Sequence, residues 1–419
     1  MMKLSAFGEK LTRGSGIVDL MQDLGSALNE NPDMIFMGGG NPARIPEMEA
    51  VVKTQYQKLC DDAEQLYSTT GVYQSPQGEL EFRTNIAAML KQQFGWHLTE
   101  ANIAVSNGSQ SAFYILFNLL AGKMPDGSFK SIHLPLSPEY IGYNDLGLTP
   151  EFFTASKPDI ELIGDKHFKY HVNFEQLSLD DKTAALCVSR PTNPTANVLT
   201  DNEIAHLDQI ARDADIPLII DGAYGLPFPG ITFADVKPHW NTNCILVLSL
   251  SKLGLPGVRT GIVVASEEIT QAFSSANTVI NLASGNMGPA LTSELFDQGQ
   301  IVSLCEQYVK PFYQQRSSQV MAFLEQAMAG LPCRIHLSEG AIFLWLWFEG
   351  LPITSQTFYE RLKERGVLVV SGHHFFAGID SQWPHQHECI RLSYVQDLAD
   401  IEQGITIIAE EARAAYQAD

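Results

Sequence analysis

Residues 245–261, ILVLSLSKLGLPGVRTG, decide the fold. The first four form a short apolar run of the kind that makes a strand buried on both faces, and Ser249-Leu250-Ser251-Lys252 follows directly. A lysine just past the end of a buried strand stands at the mouth of an α/β sheet, where ligands bind. Arg259 follows Gly254, Pro256 and Gly257. Two serines, a lysine and an arginine this close together can neutralise and hydrogen-bond a phosphate dianion. Taken alone, the same residues also fit a surface loop with a solvated lysine.

Similar runs bounded by turn residues lie at 103–105, 132–136, 184–188, 218–220 and 262–264, with helical patterns at 109–121 and 202–214. This alternation predicts an α/β fold with a mostly parallel sheet. Beyond about residue 291 the pattern changes. A long helix is expected over 302–328, kinked at Pro311, and then strands at 334–337, 342–348, 367–370 and 390–394 around a helix at 354–365, with a closing helix from 398. We therefore expect three parts: an N-terminal segment (1–45) lying on the others, a large α/β unit (46–290) and a smaller α+β unit (291–419).

Composition narrows the function. The 419 residues carry 27 Lys+Arg against 48 Asp+Glu, a formal net charge of −21, which disfavours nucleic acid and anionic membrane surfaces as partners. The longest purely apolar run, 341–348, is far short of the roughly 20 residues of a membrane span, and MMKLSAFGEKLTRGSG lacks the apolar core of a signal peptide. Six scattered cysteines give neither zinc-ribbon spacing nor a disulfide framework, so a reducing, cytoplasmic setting is expected and no metal. His373, His374, His385 and His387 have no familiar metal spacing. Gly38-Gly39-Gly40 lacks the strand–GxGxxG–helix surroundings of a nucleotide loop.

Three further stretches follow strands. Asp221-Gly222-Ala223-Tyr224 puts a carboxylate at a strand end with a phenol three residues on; it reads either as a helix N-cap with a packed tyrosine or as a carboxylate that keeps a heteroaromatic nitrogen protonated. Ser189-Arg190-Pro191-Thr192-Asn193-Pro194-Thr195 is either a rigid turn or a device for aiming the Asn193 amide. Ser106-Asn107-Gly108-Ser109-Gln110 opens a helix whose N-terminal N–H groups make an anion site. Each is weak alone. Together they supply what pyridoxal phosphate requires: an amine for its aldehyde, an acid for its ring nitrogen, donors for its 3-oxygen, and a helix N-terminus with an arginine for its phosphate.

With GGGNPARIPEM (38–48), SNGSQSAF (106–113), SPEYIGY (137–143), SRPTNPT (189–195), SLSKLGLPGVRTG (249–261) and EGAIFLWLWF (339–348), the chain resembles the fold-type I pyridoxal-phosphate-dependent aminotransferases over nearly its whole length. That resemblance implies the transferase fold, with a seven-stranded large-domain sheet. It implies that Lys252 bonds the cofactor and later shuttles a proton, that Asp221 pairs with the ring nitrogen, that Tyr224 and Asn193 bond the 3-oxygen, and that Tyr140 stacks on the ring. Gly108, Ser109, Gln110, Ser249, Ser251 and Arg259 would hold the phosphate, and Tyr73 would reach the phosphate of the neighbouring subunit of a homodimer. Arg391 would clamp the substrate α-carboxylate, helped by Asn193 and a Gly40 N–H. Ala196 departs from the family glycine after NPT. Its expected effect is a changed turn with Asn193 left in place.

The expected substrates are small amino acids and 2-oxo acids, valine with pyruvate first. A dicarboxylate calls for a second cation, and between Arg259 and Arg316 the only one is Lys310. Residues 277–289 (NTVINLASGNMGP), uncharged and mostly small or apolar, are expected to line the side-chain pocket, with Arg13 the nearest exception to that argument. The alternatives are an aromatic- or kynurenine-type aminotransferase, a carbon–sulfur lyase, a cofactor-binding regulator and a non-enzymatic homologue. No recognition-helix pattern or basic stripe supports the regulator.

Overall fold

A computed structural model describes residues 3–12, 16–380 and 382–417. The apolar runs of the first half gather into one sheet. Its path is Ile103–Ser106, Gly261–Val264, Cys244–Ser249, Leu218–Asp221, Thr183–Ser189, Phe129–Leu134 and Gly122–Lys123, seven strands as expected; an eighth, Phe153–Ala155, pairs with Phe129–Leu134 off that path. Every residue of the first five strands is buried, which is why they read as continuous Val/Ile/Leu runs rather than alternating ones. Helix Asp201–Asp213 covers the sheet with Ile204, Leu207 and Ala211, and it starts at a capping box between Thr200 and Glu203.

Strand direction places the site. Cys244–Ser249, Leu218–Asp221, Thr183–Ser189 and Phe129–Leu134 run parallel. Gly261–Val264 is antiparallel to both its neighbours, so Ile103–Ser106 points the same way as the parallel set. Five strands therefore end on one edge of the sheet, and the loops carrying Gly108, Tyr140, Asn193, Asp221 and Lys252 all leave from it. Register brings Ser189 level with Asp221, and Ser249 level with Gly261 and Ser106.

A second sheet has the order Val370–Ser371, Cys389–Ser393, Phe343–Phe348, Cys333–His336, His167–His171, Asp159–Ile163. Its last two strands form a hairpin drawn from within 46–290, with His167 opposite Ile335. The hairpin joins the C-terminal sheet because Phe168 and Tyr170 bury their rings against His336, Trp345 and Trp347 of that sheet. The N-terminal segment leans on the same part, with Ile35–Phe36 pairing in parallel with Val367–Leu368. The long helix is broken as Pro311 suggests. A π-turn, Cys305–Val309, separates Gln300–Leu304 from Lys310–Ala327, and the Lys310 N–H reaches back to the Cys305 carbonyl just before the residue that has no N–H.

Candidate active site

Strand Cys244–Ser249 ends in a short 3-10 turn, Ser251–Leu253, closed by Gly254 in the left-handed region. Lys252 projects from that turn. Its Nζ donates to the Gly40 carbonyl oxygen and lies 5.1 Å from the centroid of the Tyr224 ring. Burial, reinforced by the charges of Arg391 and Arg259 and opposed by Asp221, lowers the ammonium to about 8. The neutral amine is thus easier to reach than in an ordinary lysine, which is almost wholly protonated at neutral pH.

Lys252 shares a cavity of about 160 Å³ with Asp221, Tyr224, Asn193, Tyr140, Ser109, Gln110, Ser249, Ser251 and Arg259. Asp221 is buried. Its Oδ2 accepts from the Tyr143 hydroxyl at 2.6 Å and its Oδ1 from the Ala223 N–H at 2.9 Å. Burial raises its pKa, and those two bonds together with the charge of Lys252 oppose the rise. At the other end, Gly108 caps helix Ser109–Leu120 with φ 88°, and a Cβ there would stand 2.3 Å from Arg259 Nη2. The guanidinium is packed onto the backbone that opens the helix, so both contribute positive potential to one spot. Ser249 Oγ and Ser251 Oγ, 3.0 Å apart, complete that end.

Arg391 is a central residue of strand Cys389–Ser393 and is buried. Nη1 donates to Asn193 Oδ1 and Nη2 to the Gly38 carbonyl oxygen, each at 2.8 Å, and the guanidinium lies 4.1 Å from the Phe343 ring centroid and 5.1 Å from that of Phe375. Burial lowers its pKa to about 10. Nε has no hydrogen-bond partner, and no salt bridge to a carboxylate is found among the described residues. A buried guanidinium without a carboxylate is costly, and this one bonds Asn193, a residue that lines the cavity of Lys252.

Some expectations fall elsewhere. Tyr73 is 80% exposed, away from the cavity of its own chain. Residues 277–289 line neither that cavity nor the neighbouring one; Ser284 bonds the Val105 carbonyl and the Gly285 N–H bonds Asn107, so the segment sits behind the phosphate-type loop. The neighbouring cavity, about 480 Å³ on the other side of Lys252, is lined instead by Asn41–Ile45, Met48, Val52, Lys53 and Tyr56. Gly40 presents its carbonyl to Lys252, and it is Gly38 that meets Arg391. Ala196 takes φ 63°, the conformation its glycine counterpart would take freely, and Asn193 is held at Arg391 regardless. Arg13 lies outside the described residues. His385 is packed among Tyr170, Trp347 and Trp383. Sequence reasoning missed Tyr143, the donor to Asp221, and Phe343 and Phe375, the walls of Arg391. Tyr143 and Phe343 stand in quoted motifs, but nothing in their spacing marks these contacts.

No helix of the described residues is long and apolar enough to cross a membrane. The profile of aminotransferase class I and II matches residues 41–408. The valine–pyruvate aminotransferase of Escherichia coli is 49% identical over 417 residues, covering 99% of each chain. The crystal structure of a valine-pyruvate aminotransferase from Salmonella typhimurium superposes with a TM-score of 0.89 at 46% identity, over 96% of this chain and 100% of that one. A Thermus thermophilus aspartate aminotransferase double mutant shares the fold at 19% identity, with a TM-score of 0.77 over 98% of this chain and 100% of that one. A lysine of lowered pKa and a buried carboxylate in one cavity, with a buried arginine that meets no carboxylate among the described residues bonded to its Asn193, are thus set in a chain that belongs to the class I and II aminotransferases.

Proposed function

We propose that this enzyme uses pyridoxal phosphate to exchange an amino group between valine, or another small aliphatic amino acid, and pyruvate, giving 2-oxoisovalerate and alanine by a ping-pong mechanism. The observation that carries the reading is the buried Arg391 guanidinium, unpaired by any carboxylate among the described residues and bonded to Asn193, which lines the cavity of Lys252 and Asp221. The cavity fits the cofactor. Its cationic end, where a Cβ on Gly108 would strike Arg259, suits a phosphate, and its opposite wall offers the Asp221 carboxylate to a ring nitrogen.

Lys252 would hold the cofactor covalently, and Gly108, Ser109, Gln110, Ser249, Ser251 and Arg259 would hold its phosphate. Tyr140 would lie against the ring, with Tyr224 and Asn193 at the 3-oxygen. Bound there, pyridoxal phosphate supplies an electron sink for the charge left when the substrate Cα loses its proton. Asp221 keeps a proton on the ring nitrogen and so makes that sink effective. Arg391 binds the α-carboxylate as a planar fork and fixes the Cα beside Lys252, with Gly40 nearby. Lys252, its pKa lowered, would take the Cα proton and give it back at the cofactor's former aldehyde carbon, on the far side of the nitrogen.

Preference for small aliphatic substrates is supported by the name of the 49%-identical relative. The exposed Tyr73, Val279, Ile280 and Leu282 support a homodimer in which Tyr73 and the 277–289 segment serve the partner's site. Six free cysteines support a cytoplasmic setting. The test is the visible absorption of the purified enzyme. The cofactor band should shift when valine is added and return with pyruvate as alanine forms; a band that valine leaves unchanged refutes the reading.

A further inference from the structure

Glu139 immediately precedes Tyr140 and is 1% exposed. Its Oε1 accepts from the Ser189 N–H at 2.8 Å, and its Oε2 lies in short contact with Ser189 Oγ and accepts from the Tyr140 N–H at 3.4 Å. Ser189 Oγ is 3.4 Å from the Tyr143 hydroxyl oxygen, and that hydroxyl donates to Asp221 Oδ2 at 2.6 Å. Two buried carboxyls are thus joined through two hydroxyls, and the chemistry described above uses only one of them.

Two carboxyls this buried cannot both be ionised cheaply, so one keeps its proton. Asp221 is the better anion: it accepts from Tyr143 and from the Ala223 N–H, and it faces Lys252. Glu139 has no such cationic neighbour in its hydrogen bonds. It is faced by the Asp221 carboxyl, by the Cys187 thiol of its neighbouring strand and by the phenols of Tyr140 and Tyr143. The turn that accepts its N–H through the Phe375 carbonyl carries His373 and His374. Burial, helped by the Asp221 charge, raises its pKa to about 8 against the bonds from Ser189.

We propose that Glu139 is a protonated positioning residue: its Oε2–H donates to Ser189 Oγ, Ser189 O–H to Tyr143 and Tyr143 O–H to Asp221, a one-way run of donors that keeps Asp221 ionised. Each hydroxyl then gives one hydrogen bond and receives one. An ionised Glu139 would turn the Ser189 hydroxyl toward itself and leave Tyr143 without that donor. The benefit to the ring nitrogen rests on the function proposed above; the protonation of Glu139 does not.

The apoenzyme tests it, independently of any cofactor. Infrared difference spectra of wild type minus Glu139→Gln should show a protonated-carboxyl band at neutral pH that titrates away with a midpoint near 8. A carboxylate band at neutral pH overturns the proposal. Glutamine reproduces both bonds of the neutral acid to Ser189 and gives up only its acceptance from the Tyr140 N–H. The stability comparison carries the same sign. A carboxyl raised in the fold binds its proton in the native chain and loses it in the unfolded one, so between about pH 4.3 and 8 the wild-type folding constant should fall about tenfold per pH unit relative to Glu139→Gln. A pH-independent ratio overturns it. In Glu139→Ala the Asp221 midpoint, read against Asp221→Asn, should move up because a donor run is lost. A downward shift would mean that Glu139 had been an anion.

Discussion

Replacing Arg391 by lysine tests whether the guanidinium serves as a two-pronged clamp or only as a charge. The wild-type side chain uses one N–H on Asn193 Oδ1 and one on the Gly38 carbonyl, leaving three, the unpartnered Nε–H among them. A bidentate carboxylate takes two of these. A lysine ammonium has three N–H groups; with Asn193 and Gly38 still to satisfy, one is left for the substrate. The loss is one charge-assisted bond, about 1.5–3 kcal/mol, or about 10–150-fold in kcat/KM. Arg391→Met loses both bonds and also strands Asn193 Oδ1 and the Gly38 carbonyl, so about 3–6 kcal/mol, or about 10²–10⁴-fold, is expected. The assay is alanine formation from valine and pyruvate at varied concentrations of each, beside the same assay with a branched amine that has no carboxylate. Both half-reactions should suffer alike, because both substrates carry an α-carboxylate, and the amine control should be insensitive. A lysine variant as efficient as wild type with valine, or an equal loss with the carboxylate-free amine, refutes the clamp and leaves Arg391 a packing residue.

Three further outcomes follow from the same geometry. Covalent capture of pyridoxal phosphate by the apoenzyme needs the neutral Lys252 amine, so its rate should climb with pH up to about 8 and flatten above it; a rise that continues to the ordinary lysine pKa of about 10.4 refutes the tuning. Tyr143→Phe keeps the ring packed on Phe113 and Phe117 but removes the 2.6 Å bond to buried Asp221, so kcat should fall about 5–150-fold for about 1–3 kcal/mol lost, with the thermal transition retained. If Tyr73 serves the partner's site, mixing inactive Lys252→Ala with impaired Tyr73→Phe and letting subunits exchange should restore activity, since one hybrid site carries neither change; no gain on mixing places Tyr73 within its own subunit.

What could be read in advance divides by distance along the chain. Each short motif follows its own strand, and strands buried on both faces announce themselves as apolar runs. Gly108, Asn193, Asp221 and Lys252 could therefore be set on one sheet edge from local pattern alone. The hairpin Asp159–Ile163 and His167–His171 could not, because its buried face is completed by residues near 335–347. The working contacts of the site are of the same long-range kind. Tyr143 meets Asp221 across 78 residues, Arg391 meets Asn193 across 198, and Arg391 meets Gly38 across 353. The resemblance implied a carboxylate clamp at Arg391, and no neighbouring residue in the sequence separates that role from a structural ion pair. What separates the two readings is the absence of a carboxylate beside it among the described residues, together with the aromatic walls of Phe343 and Phe375, and neither property belongs to any stretch of sequence. The 277–289 segment marks the remaining boundary. Its composition suits a small aliphatic pocket, yet within one chain it backs the loop at Asn107 and leaves Val279, Ile280 and Leu282 exposed. Composition can nominate a wall of the pocket, but only the fold shows that within this chain the segment lines neither cavity beside Lys252.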